Sequence, residues 1–216
     1  MSTIQRPLRR DAERNRQRVL EAARDLFARK GLGVTLDDVA DHAGVGVGTV
    51  YRRFPDKEAL IEALFEERIE EIATLAERAL EDPDAWRGFV GFLESSAERN
   101  AANRGLQELL FSAAHGKERM ARARERIRPL VELLVARAQA AGALRPDFDP
   151  LDVPLLQFMV GAVGWYAAEV APEVWRRHLA IVIDGLRTQR RRPTPLPVPA
   201  LTQDQFEAAL RACRLP

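Results

Sequence analysis

The sequence predicts an all-α protein, a small N-terminal head followed by a larger helical body. Three observations lead there. Ala, Leu, Arg and Glu dominate, while Gly and Pro avoid the interiors of most apolar-periodic segments, as helix propensity requires. Apolar residues recur at three- and four-residue spacing along most of the chain. The stretch 35–54, TLDDVADHAGVGVGTVYRRF, reads as two short helices joined by a tight turn, and the remaining segments arrange themselves around it.

In that stretch Thr35, with Asp38 three residues on, has the capping-box spacing of a helix start ahead of the stripe Leu36, Val39 and Ala40. Gly44 ends the helix where a left-handed residue is wanted. A second helix then runs from about Val47, with Gly46 as N-cap and with Val50 and Phe54 turned inward, until Pro55 stops it. Such a helix-turn-helix, here in a three-helix head, presents its second helix to a DNA major groove.

The head takes in residues 13–60. A helix over 11–30 sets Val19, Ala22, Ala23, Leu26 and Phe27 on one face, leaves Arg14, Arg16 and Arg18 as a solvated face, and ends at Gly31. Residues 1–12 hold Arg6, Arg9 and Arg10 with no periodic apolar face. They read either as a disordered terminus or as a basic arm that orders on phosphates or in a minor groove.

A body over 61–190 follows. Asp56 caps a long helix to about Leu80, the mechanical link from head to body. Further helices are expected through Trp86, Phe89, Phe92 and Leu93, over 104–114, over 117–141 (closed by Gly142), over 150–169 and over 173–187. The run KERMARARERIR reads as a solvent-facing helix surface. Residues 191–216 form a Pro-rich linker and a short helix, capped by Thr202 and Gln205, with Phe206, Ala209 and Leu210 on one face.

The balance of charge supports DNA binding by the head. Overall the chain carries +1, but residues 1–57 hold 12 Lys and Arg against 8 Asp and Glu. One cysteine, Cys213, excludes an internal disulfide framework, and the most apolar stretch, 153–168, is too short for a membrane span. A cytoplasmic protein without a membrane partner is expected. His42, His115 and His178 lie far apart and no paired-Cys or Glu-x-x-His spacing occurs, so neither a metal site nor an enzyme is expected. Gly44, Gly46 and Gly48 follow no strand and precede no GK[ST], which sets aside a nucleotide loop. The alternative from another class is a ligand-binding or enzymatic helical protein whose head makes only protein contacts.

Residues 20–64 resemble the DNA-binding domain of the TetR family of transcriptional regulators. The likeness rests on VLEAARDLFARKG, VTLDDVADHAGV and GTVYRRFPDKEALIEAL, above all on Gly48-Thr49-Val50-Tyr51 with Phe54, Lys57, Glu58 and Leu60. Many members carry a polar residue where this chain has Gly46. The body, through RAQAAGALRPDFDPLDV and WRRHLAIVIDGLR with the Pro-rich tail, resembles the SbtR-like C-terminal subgroup.

The resemblance implies backbone contacts from Thr35, Tyr51, Arg53 and Lys57 and base reading by Gly46, Val47, Gly48, Thr49 and Arg52. It also implies a homodimer formed by the last two main helices, with Leu155, Met159, Val163, Trp175, Leu179, Val182 and Leu186 as interface candidates. It further implies a cavity for an unidentified small-molecule effector, with no other cofactor. Phe89, Phe92, Phe111, Phe158 and Tyr166 are candidates for its wall, and His115 for a hydrogen bond in it. The plain alternative makes these aromatics core and His115 a surface or capping residue. The function expected is a ligand-responsive repressor on a near-palindromic operator of double-stranded DNA, with an activator left open.

Overall fold

The structure is a computed structural model describing residues 5–101, 117–188 and 196–212. Its regular elements there are helices, joined by one isolated antiparallel bridge between Leu144 and Arg187. Phe111, His115, Cys213 and the helix expected over 104–114 lie outside the described residues.

The head comprises α1 (Gln5–Lys30), a short 3-10 turn at Gly31–Gly33, α2 (Leu36–Ala43), α3 (Val47–Arg53) and the first half of α4 (Lys57–Glu81). The helix expected from residue 11 begins earlier, at Gln5. Arg, Gln and Leu are good helix formers, and Pro7 falls in the first turn, where its missing N–H breaks no helical bond. The core gathers Val19, Leu20, Ala23, Leu26 and Phe27 of α1 around Val39, Val50, Phe54, Leu60 and Phe65.

Caps define α2. Thr35 Oγ1 accepts from the Asp38 N–H while Asp38 accepts from the Thr35 N–H, and Gly44 sits at φ +62°. The solvated arginine face expected on α1 holds only in part. Arg18 Nη2 donates to the carbonyls of Ala43 (2.7 Å) and Gly44 (3.3 Å), closing the end of α2, and Arg16 and Arg24 both pair with Glu67 of α4.

The body is built from α5 (Ala85–Ala101), α6 (Lys117–Ala140), α7 (Asp152–Tyr166), α8 (Val174–Leu186) and α9 (Gln203–Ala212). The second half of α4 packs between α5 and α6; α5 packs on α7, and α7 on α8. Gly88 lets α5 approach the end of α4, since a Cβ there would stand 2.3 Å from the Ala79 carbonyl oxygen. Arg137 of α6 donates to the Leu80 and Asp82 carbonyls beyond that end. Asp82-Pro83-Asp84 makes the break, Asp84 Oδ1 accepting from Trp86 N and Arg87 N.

The last two main helices correct several expectations. Trp175, Leu179 and Leu186, read as dimer-seam residues, are buried in the subunit's own core, with Leu179 2% exposed, and half-buried Val182 packs against the same cluster. The apolar stripe of α8 is spent on α5 and α7. Its outer side carries Ile181, 58% exposed. On α7, Leu155 and Val163 are half-buried, while Met159 (55%), Trp165 and Tyr166 (88%) are exposed.

Leu179→Glu tests this packing. A carboxylate placed at a 2%-exposed core position should cost more than about 3 kcal/mol. The urea midpoint should fall accordingly.

Candidate nucleic-acid interface and the body cavity

The second helix of the helix-turn-helix stands proud of the head. Val50 alone of α3 is buried; Val47, Gly48, Tyr51, Arg52 and Arg53 are exposed and Thr49 is partly so. Gly46 caps the helix in an extended conformation without a side-chain bond, and a Cβ added at Gly48 would meet nothing within 4 Å. The start of α3 is thus a nearly bare backbone flanked by the apolar groups of Val47 and Thr49. Such a surface suits close approach to base edges and contact with thymine methyls.

Cationic groups flank it. Thr49, Arg52 and Arg53 line a cleft of about 210 Å³ with Asn15, Arg16 and Val19 of α1. Lys57 is the first residue of α4, beside the cap in which Asp56 Oδ1 accepts from Ala59 N at 2.8 Å. Sequence reasoning passed over Asp37. Its negative charge on α2 raises the Tyr51 phenol above its ordinary pKa. The sequence signal was Asp37 at the second position of α2, facing the helix-turn-helix partner.

Thr35 is more committed than expected. Its hydroxyl accepts from Asp38 N and donates to Asp38 Oδ2 at 2.6 Å, and that donation, with the one from Thr35 N–H, holds the Asp38 carboxyl below its usual pKa. What this corner offers a phosphate is therefore the first N–H groups of α2 rather than a free hydroxyl.

A second feature lies in the body. A cavity of about 500 Å³ is bounded by α4, α5, α6, α7, the 149–151 loop and α9. Phe92 and Phe158 line it together with Ile69, Ile72, Val153 and Phe206. Phe89 does not: it is fully buried between Trp86 and Phe148. Tyr166 stands exposed at the end of α7, away from the lining. Missed altogether was the part played by α9, whose Gln203 and Phe206 complete the wall. Among the described residues no group of His, Cys, Asp and Glu is placed to hold a metal, and no helix is long and apolar enough to cross a membrane.

Comparison with known proteins agrees with this geometry. Residues 19–64 match the family described as bacterial regulatory proteins, tetR family, and residues 82–188 match the SbtR-like transcriptional regulator C-terminal domain. A TetR transcription regulatory protein from Mycobacterium vanbaalenii is 36% identical, with a TM-score of 0.62 over 84% of this chain and 100% of that one. The regulator SCO0520 from Streptomyces coelicolor is 26% identical, with a TM-score of 0.61 over 81% and 99%. FadR from Bacillus subtilis, solved in complex with stearoyl-CoA, shares the fold at 15% identity, with a TM-score of 0.62 over 79% and 98%. A curated HTH-type transcriptional regulator of Staphylococcus aureus is 43% identical over 54 residues, which is 24% of this chain and only 29% of that protein's length.

Gly48→Ala probes the bare helix start. With open space around the new methyl, it should raise stability by up to about 1 kcal/mol. It should weaken binding to the cognate site about tenfold or more, through the methyl placed between backbone and bases, and spare weak binding to random duplexes. Lys57→Ala should instead weaken binding to every duplex alike and lower the salt slope by about one unit. Titrations of both variants against cognate and random DNA at several salt concentrations measure these outcomes.

Proposed function

The chain belongs to the TetR family, whose members are DNA-binding, non-enzymatic transcriptional regulators, and from that premise we propose that it is a homodimeric, ligand-responsive repressor of a near-palindromic operator. The observation that carries this reading is the position of α4. Leu60, Ile61, Leu64 and Phe65 of that helix belong to the head core, and Ile69 and Ile72 line the body cavity. A small molecule that fits one body geometry better than another would shift α4 and with it the separation of two α3 helices in successive major grooves. That shift is limited to the ligand's differential affinity for the two states. The protein works in the cytoplasm, where its operator is.

The partner copy seats on the outer faces of α7 and α8. Met159, Trp165 and Ile181 are exposed apolar residues of these two helices, and with Trp175, Leu179 and Leu186 buried in the subunit's own core, their exposure supports this reading. DNA recognition uses Val47, Gly48, Thr49 and Arg52 for bases and Tyr51, Arg53 and Lys57 for phosphates.

Two measurements test the proposal. Genomic fragments selected by the protein should share a near-palindrome, shift in a mobility assay with a steep salt dependence, and lower transcription of a downstream reporter. Absence of DNA binding would instead favour a head that serves only protein contacts. Met159→Glu with Ile181→Glu should give folded monomers by sedimentation, with operator affinity down at least tenfold. An intact dimer would place the interface elsewhere.

A further inference from the structure

The body cavity is not uniformly apolar. Along one side Ser96, Asn100 and Gln157 enter its lining, with Arg68 of α4 behind them. These four residues are all nine-tenths or more buried. Arg68 Nη2 donates to Asn100 Oδ1 at 2.8 Å and Nη1 pairs with Glu71 at 3.0 Å. Asn100 Nδ2 lies 3.5 Å from Gln157 Oε1, and Gln157 Nε2 donates to the Leu93 carbonyl at 3.0 Å.

The set is incomplete. Ser96 Oγ and Arg68 Nε are buried without a hydrogen-bond partner among the described residues. An unsatisfied buried hydroxyl or N–H costs free energy that a ligand's polar group can return. Arg68 is also a buried cation whose anionic partner among the described residues, Glu71, is 40% exposed. The unused capacity at this end of the cavity is therefore dominated by donors, the Ser96 hydroxyl and the second N–H groups of the Asn100 and Gln157 amides, beside the Arg68 guanidinium. Hydrocarbon from Ile69, Ile72, Phe92, Val153, Phe158 and Phe206 lines the wall beyond it, and Glu125, Arg128, Glu132 and Asp149 stand elsewhere on the lining, contributed by α6 and the 149–151 loop.

We propose that this cavity takes an amphipathic effector whose carboxylate or carbonyl oxygen accepts from Ser96 and Asn100, while its apolar body lies between Phe92, Phe158 and Phe206. The inference deepens the ligand-responsive reading above and depends on it. At the Ser96–Asn100 end a cationic head is disfavoured by Arg68. A purely hydrocarbon ligand leaves the Ser96 hydroxyl unsatisfied. Because Arg68, Ile69 and Ile72 belong to α4, an acceptor bound here bears directly on the helix that joins body to head.

Calorimetric titration of the full chain with dodecanoate, 2-dodecanone and dodecylamine, below their micellar concentrations, tests head-group preference. Dodecanoate and 2-dodecanone should bind at least tenfold tighter than dodecylamine. Ser96→Ala, which removes an unpartnered hydroxyl and should leave the melting temperature unchanged or higher, should weaken the two oxygen-headed probes about three- to tenfold, the loss of one hydrogen bond. Phe158→Ala should weaken all three probes alike. Equal binding of the three head groups, or an unaltered Ser96→Ala affinity, would overturn the head-group assignment while leaving the cavity as a ligand site. Failure of every probe to bind, with no uptake of an apolar fluorescent dye, would overturn the ligand-responsive reading itself and this inference with it.

Discussion

Everything in this molecule depends on α4 being buried twice. Leu60, Ile61, Leu64, Phe65 and Ile69 close the head core, while Ala76, backed by Ile72, Leu75 and Ala79, belongs to the body core. A helix of 25 residues held in two hydrophobic clusters cannot tilt in one without disturbing the other. Polar contacts fix the same joint, ion pairs from Arg16 and Arg24 of α1 to Glu67 on the head side and a hydrogen bond from Arg68 to Asn100 on the body side. Two adjacent residues, Glu67 and Arg68, thus answer to opposite halves of the protein.

The head owes its rigidity to caps and small residues more than to size. Thr35 and Asp38 start α2, and Gly44 and the Arg18 guanidinium finish it. With α2 and α3 held in this way, the exposed side of α3 has little structural work left. Its bare glycines and the Val47 and Thr49 methyls can be given over to an external surface.

The cavity follows the opposite principle. Its walls come from helices far apart in sequence, and α9, reached through a Pro-rich linker, completes them with Phe206. The buried polar set of Arg68, Ser96, Asn100 and Gln157 spans α4, α5 and α7. Each residue alone looks like an ordinary polar position in an amphipathic helix. Only their convergence makes them a buried network with two unsatisfied atoms.

The sequence by itself determined what short-range physics controls: the all-α class, the capping box at Thr35, the αL stop at Gly44, Asp56 as the cap of α4, the breaks at Pro83 and Gly142, and the terminal helix opened by Thr202. It also carried the family through Gly48 to Leu60, since that signature is contiguous. Tertiary structure alone decided which side of an apolar stripe faces inward. The stripe through Trp175, Leu179 and Leu186 was legible as a stripe, but periodicity does not say whether it meets the same subunit or another. The packing of α8 on α5 and α7 consigned it to the core and left Ile181 outside. The same limit applied to Phe89, Tyr166 and the α1 arginines, because burial and ion pairing between distant segments depend on where helices cross, and local spacing carries no record of the crossing.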